Sequence, residues 1–96
     1  MSRLTGLDLI DKSIVSLSGS SQTLVAANES RQVLIIMNTS AADNIGVNLA
    51  GGTAAIGGAG TITLEPYGSI VLDTFVPTGQ INVIGTSGQP VVCYVA

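Results

Sequence analysis

The sequence predicts an all-β fold: a single antiparallel β-sandwich of about eight short strands with an N-terminal arm. Val, Ile and Thr make up 29 of the 96 residues, and β-branched side chains suit a pleated, half-buried surface. Apolar and polar positions alternate at period two over short runs. Gly, Pro, Asn and Ser punctuate those runs at the spacing of a sandwich or barrel. A chain of this length has room for one compact unit, divided here into an arm at 1–12 and a sandwich domain at 13–96.

The arm carries Leu4, Leu7, Leu9 and Ile10 in a pattern that fits neither a clean helix nor a clean strand. Such residues have no evident place in an eight-stranded core, so the segment reads as one that docks on a neighbour. Arg3, Leu4, Leu7, Leu9 and Ile10 are its candidate contact residues. Strands are expected at 13–18, 22–27, 32–38, 44–49, 61–65, 69–73, 80–85 and 90–95. In the fourth, Ile45, Val47 and Leu49 alternate with Asn44, Gly46 and Asn48, the mark of a strand with one buried and one solvated face. The third holds five consecutive apolar residues at 33–37, which predicts cover on both faces and a central position.

Turn chemistry sets the boundaries. Glu65-Pro66-Tyr67-Gly68 suits a type I turn joining the fifth and sixth strands in a hairpin. Val76-Pro77-Thr78-Gly79 and Thr86-Ser87-Gly88 mark the turns before the seventh and eighth. The segment 51–60, built of Gly, Ala, Thr and one Ile, reads as a flexible loop with little to pack.

Charged residues are 9% of the chain against a norm of about 25%. Ser, Thr, Asn and Gln stand in their place, which leaves a neutral surface poorly defended against association. A self-associating protein is the expectation. The net charge is −3 with Arg3, Lys12 and Arg31 as the cations, too few to neutralise a nucleic-acid backbone or to hold an anionic membrane. No apolar run approaches the roughly 18 residues of a membrane span, and the charged N-terminal segment lacks the core of a secretory signal, so synthesis in a cytoplasm is expected.

No histidine is present, which removes the usual general base and the usual metal ligand together. No catalytic residue, no cofactor site and no metal site is expected, and the protein is read as a non-enzyme. Glu65 and Asp73 are the one conceivable carboxylate pair, yet solvated charges at strand ends explain them better, since only Tyr67, Phe75 and Tyr94 offer rings to stack on a sugar. The loop at 51–60 lacks the Gly-Lys-Ser/Thr ending of a phosphate loop and leads into a strand. Cys93 falls in the alternating series Val91, Cys93, Val95 and reads as a small buried hydrophobe. Arg31 admits two readings, pairing with Glu29 or an inter-subunit contact.

The stretch from Gln22 through Val25-Ala26-Ala27-Asn28-Glu29-Ser30-Arg31, followed by an aliphatic strand ending at Asn38, resembles small β-sandwich virion proteins of tailed bacteriophages. The likeness continues through Thr61-Ile62-Thr63-Leu64-Glu65-Pro66-Tyr67-Gly68-Ser69 and Phe75-Val76-Pro77-Thr78-Gly79. These are turn and core-strand motifs, so they bear on the scaffold more than on a site. The resemblance implies a virion protein, most simply a capsid decoration or cement protein on the head exterior that bridges major capsid subunits, with a homotrimer as its form. Neck, tail and fibre components use similar sandwiches, and a receptor- or glycan-binding module is the alternative from another class.

Overall fold

The computed structural model describes residues 8–96, and no helix occurs among them. Eight strands are present: β1 (Ile10–Asp11), β2 (Gln22–Val25), β3 (Leu34–Met37), β4 (Ile45–Asn48), β5 (Ile62–Leu64), β6 (Ser69–Leu72), β7 (Ile81–Ile84) and β8 (Val92–Val95). They form two four-stranded sheets, one in the order β1-β8-β3-β6 and the other β2-β7-β4-β5. Every pairing is antiparallel. The fold class is the β-sandwich that the alternation predicts, with β3 central in its sheet.

Period-two alternation places the core between the sheets. Leu34 and Ile36 of β3 stand beside Val95 and Cys93 of β8 on one side and Leu72 and Ile70 of β6 on the other. From the second sheet, Ile45 and Val47 of β4 and Ile81 and Val83 of β7 face them, all fully buried. The buried cluster is built of Leu, Ile, Val and Cys93 and contains no aromatic residue. Such β-branched and aliphatic side chains pack in few rotamers, which favours one well-defined core.

The first expected strand, at 13–18, does not form. The Cys93 N–H, which would continue the ladder from β8, bonds instead to the Ser13 hydroxyl at 2.9 Å. Asp11 draws the Ser13 N–H to its own carboxylate at 2.8 Å. Regular pairing is therefore limited to Ile10 and Asp11, assigned to the arm from sequence, and to a single bridge between Ile14 and Val91. Leu17 nevertheless reaches the core at 1% exposure.

The hairpin expected at Pro66 is not a hairpin. β5 closes the edge of one sheet and β6 the edge of the other, so the turn carries the chain across the sandwich. It is also type II, because Tyr67 has φ 64° and the Gly68 N–H bonds to the Glu65 carbonyl at 2.7 Å. The turns before β7 and β8 likewise change sheets, and of the sequence-adjacent strands only β4 and β5 pair.

Two further expectations are corrected. β4 is buried on both faces, because the segment 51–60 folds over its polar side. Asn48 accepts from the Ala50 and Gly52 N–H groups at 2.9 and 3.2 Å, and Asn82 donates to the Gly51 and Gly52 carbonyls at 3.1 and 2.8 Å. Ala54 is buried and its N–H bonds to the Ser21 hydroxyl at 2.9 Å. Gly46 admits this lid, since a Cβ there would lie 2.7 Å from the Thr61 methyl and 3.3 Å from Ile56 Cδ1. Conversely, the outer face of β3 is only partly covered, with Ile35 and Met37 half-buried.

Candidate interaction surface

The buried charged and polar side chains are occupied in holding the scaffold. Arg31 is 5% exposed, and its guanidinium donates to the Pro77, Gly79 and Ala26 carbonyls. Burial lowers its pKa from the usual value. This clasp ties the end of β2 to the loop entering β7, in place of the expected pairing with Glu29. Asn38 is fully buried. It donates to the Asp43 and Leu64 carbonyls at 2.8 and 3.0 Å, and it accepts from the Ser40 N–H and from Gln89 at 3.0 and 3.1 Å. No buried side-chain nitrogen or oxygen among the described residues lacks a partner, as a settled scaffold requires.

Chemistry-bearing residues do not converge. Glu65 and Asp73 stand at opposite ends of β6. Among the described residues no three of His, Cys, Asp and Glu group to hold a metal ion. In the 51–60 segment the Gly52 and Ala54 amides are spent on Asn48 and Ser21. Burial pushes the Cys93 thiol up to about 11, so it is an inert core residue rather than a nucleophile.

What the fold leaves outside is its aromatic complement. The chain has two Tyr, one Phe and no Trp, and all three rings are on the surface: Tyr67 at 61% exposure, Phe75 at 88% and Tyr94 at 36%. They belong to one sheet and its flanks. Tyr94 lies on the outer face in a row running Asp11, Tyr94, Ile35, Val71 across the four strands. Tyr67 and Phe75 bracket β6, and Val71 between them is 59% exposed.

β6 is a free edge, and its hydrogen-bonding pattern can be read from the ladder. Val33 exchanges both main-chain bonds with Ala96, so the odd-numbered residues of β3 address β8 and the even-numbered ones address β6. Leu34 and Ile36 are therefore bonded to Leu72 and Ile70. The intervening Ser69 and Val71 turn their N–H and C=O groups to the open edge. Neither bears charge, and Ser69–Leu72 contains no Pro, so two of the usual protections of an edge strand, charge and proline, are missing.

Compared with protein-family models, with curated proteins and with solved structures, the chain matches none. The surface must be read from its own chemistry.

Of the contact residues expected from sequence, Leu9 and Ile10 are about half exposed, Ile10 in β1 opposite Val95 at the far edge of the same sheet. Arg3, Leu4 and Leu7 lie outside the described residues. Sequence reasoning named Tyr67, Phe75 and Tyr94 only as possible sugar platforms. Their concentration on one sheet depends on strand order, which alternation does not report.

Proposed function

We propose that the protein is a structural component of a tailed-phage virion, a decoration protein that attaches to major capsid subunits and stabilises the head. The observation that carries this reading is the placement of every aromatic ring outside a wholly aliphatic core. Exposed aromatics held on a rigid scaffold are the side chains that anchor protein interfaces, and each buries a large area with little loss of rotamer freedom. The resemblance to phage sandwich proteins supports the same conclusion through its scaffold motifs. Its Asn28, Arg31 and Asn38 are here a turn, a clasp and a buried network.

A cement of this kind needs no chemistry. It adds contacts that must break before the shell opens, and repetition over a lattice multiplies a modest contact. The arm residues Arg3, Leu4, Leu7, Leu9 and Ile10 are proposed as a second contact with the shell. The test is co-sedimentation with shells assembled from the major capsid protein of the same genome, followed by heat treatment of the decorated particles. Wild type should bind and raise the temperature at which shells open. A variant with Tyr67, Phe75 and Tyr94 all changed to Ser should keep its circular dichroism and lose attachment. Equal attachment by that variant, or no attachment by wild type, overturns the proposal.

The same rings favour one competing reading, a receptor- or glycan-binding module. A glycan array decides it: saturable binding lost on changing Tyr67 or Phe75 replaces decoration with adhesion.

A further inference from the structure

We infer that β6 is a self-pairing edge, through which two copies of the chain join in an antiparallel eight-stranded sheet with Val71 at the two-fold axis. The inference rests on the aromatic rim being a contact surface, as the proposed function does, and it assigns the β6 edge of that rim to a second copy while the outer face that carries Tyr94 stays open to the shell. An open edge of this kind accepts a further strand of matching register, and this edge is its own complement. Tyr67, Val71 and Phe75 are the large exposed apolar residues in and beside it, spaced four apart on either side of Val71. Antiparallel pairing about Val71 sets Val71 against its twin and Ile70 against Leu72 of the second copy, and it brings the turn that carries Tyr67 toward the end of β6 from which the Phe75 loop leaves.

Physical constraints select this register. A shift by one residue would set Val71 against Ile70, which packs toward the core, so the two sheets would present opposite faces. An axis at Ile70 pairs Val71 with Ser69 of the second copy and forgoes the contact of Val71 with its twin, and an axis at Leu72 places Val71 against Asp73. The second sets an apolar group on a carboxylate. With the axis at Val71, Asp73 meets Ser69 and no like charges oppose. Val71 also directs its N–H and C=O outward, so the residue on the axis exchanges two main-chain bonds with its twin. Pairing in this way satisfies the open edge and doubles the outer face that carries Ile35 and Tyr94. Two-fold pairing closes at two copies, which distinguishes it from the trimer implied by resemblance.

The experiment is sedimentation velocity on the purified protein across a dilution series from micromolar to millimolar. Wild type should rise from 9.6 kDa to twice that mass. Val71→Lys and Val71→Glu each place like charges on the axis and should weaken association by about tenfold or more, with unchanged circular dichroism. An equimolar mixture of the two should recover the dimer, because Lys then meets Glu. Phe75→Ser, in the loop beyond β6, gives an independent loss of association should a Val71 variant fail to fold. A monomeric wild type, a trimer, or a Lys and Glu mixture no more associated than its components overturns the inference. Shell attachment by a monomer overturns the pairing alone, whereas dimers that ignore shells overturn decoration alone.

Discussion

Replacing Tyr67 with Gly should make the fold more stable while weakening what the protein does. Tyr67 holds φ 64°, a left-handed conformation that costs an L-residue with a side chain about 1–2 kcal/mol. Its ring is mostly exposed, so its removal forfeits little packing. The backbone cannot relax easily, since Tyr67 N–H bonds to the Asn38 carbonyl at 2.8 Å and Asn38 N–H bonds to Gly68 O at 2.9 Å. Glycine removes the strain but raises the entropy of the unfolded chain, which offsets about 0.5–1 kcal/mol. The net gain is then about 0.5–1 kcal/mol, or about 2–8 °C in Tm for a domain of this size. Calorimetry should be run on Val71→Lys and on the Val71→Lys, Tyr67→Gly double variant, because dimerisation would otherwise add to apparent stability by mass action. In the wild-type background, Tyr67→Gly should reduce both self-association and shell attachment. A lower Tm in the monomeric background would show that the ring packs or that the turn is not type II, and would refute the reasoning.

Three more outcomes test other links of the chain. Asn38→Leu keeps the branched shape, with somewhat greater bulk, but strands the Leu64 carbonyl and the Ser40 N–H; urea titration should show a loss of about 2–4 kcal/mol, and a loss below about 1 kcal/mol would mean that water replaces the amide. Cys93 binds its proton more tightly folded than unfolded, with pKa raised from 9.0 to about 11, so the folded state holds the extra proton between these values. Stability should fall by about 1.4 kcal/mol per pH unit across that window, a slope that Cys93→Ala should lack when chemical denaturation is compared from pH 8 upward. Deleting residues 1–9 should reduce shell attachment. Deleting 1–12 should also lower stability, because Ile10 and Asp11 pair with β8 and Lys12 N–H bonds to the Cys93 carbonyl at 2.7 Å.

Local pattern was sufficient for the strands and insufficient for their neighbours. Apolar runs bounded by turn residues located β2 through β8, most of them by the period two that a buried face imposes and β3 by its unbroken aliphatic run. It placed a strand at 13–18 because Ile14 and Leu17 are as apolar as ladder residues, whereas the break comes from a Ser13 hydroxyl taking a main-chain role. Pro66 and Gly68 announce a turn, but nothing local says whether the chain returns to its own sheet or crosses to the other. The polar side of β4 reads as solvated because Asn usually is. Here the amides of Asn48 and Asn82 fasten a lid of small residues, and a lid without bulk leaves no hydropathy signal. Arg31 was legible as unusual, being a cation at the mouth of an apolar strand, yet its partners are carbonyls that no residue type encodes. The symmetry of Tyr67, Val71 and Phe75 is present in the sequence, but it gains meaning only once β6 is known to be an edge.

An aliphatic interior also changes what light can report. With no Trp and both Tyr reaching the surface, Tyr67 at 61% and Tyr94 at 36% exposure, the fluorophores of this protein are partly in water when it is folded, so unfolding moves them less than it would a buried ring. Binding moves them a great deal. Intrinsic Tyr emission and near-ultraviolet dichroism, ordinarily instruments of folding, become in this molecule readouts of association. A titration that leaves far-ultraviolet dichroism constant while quenching or polarising Tyr emission is watching Tyr67 and Tyr94 leave solvent for a partner.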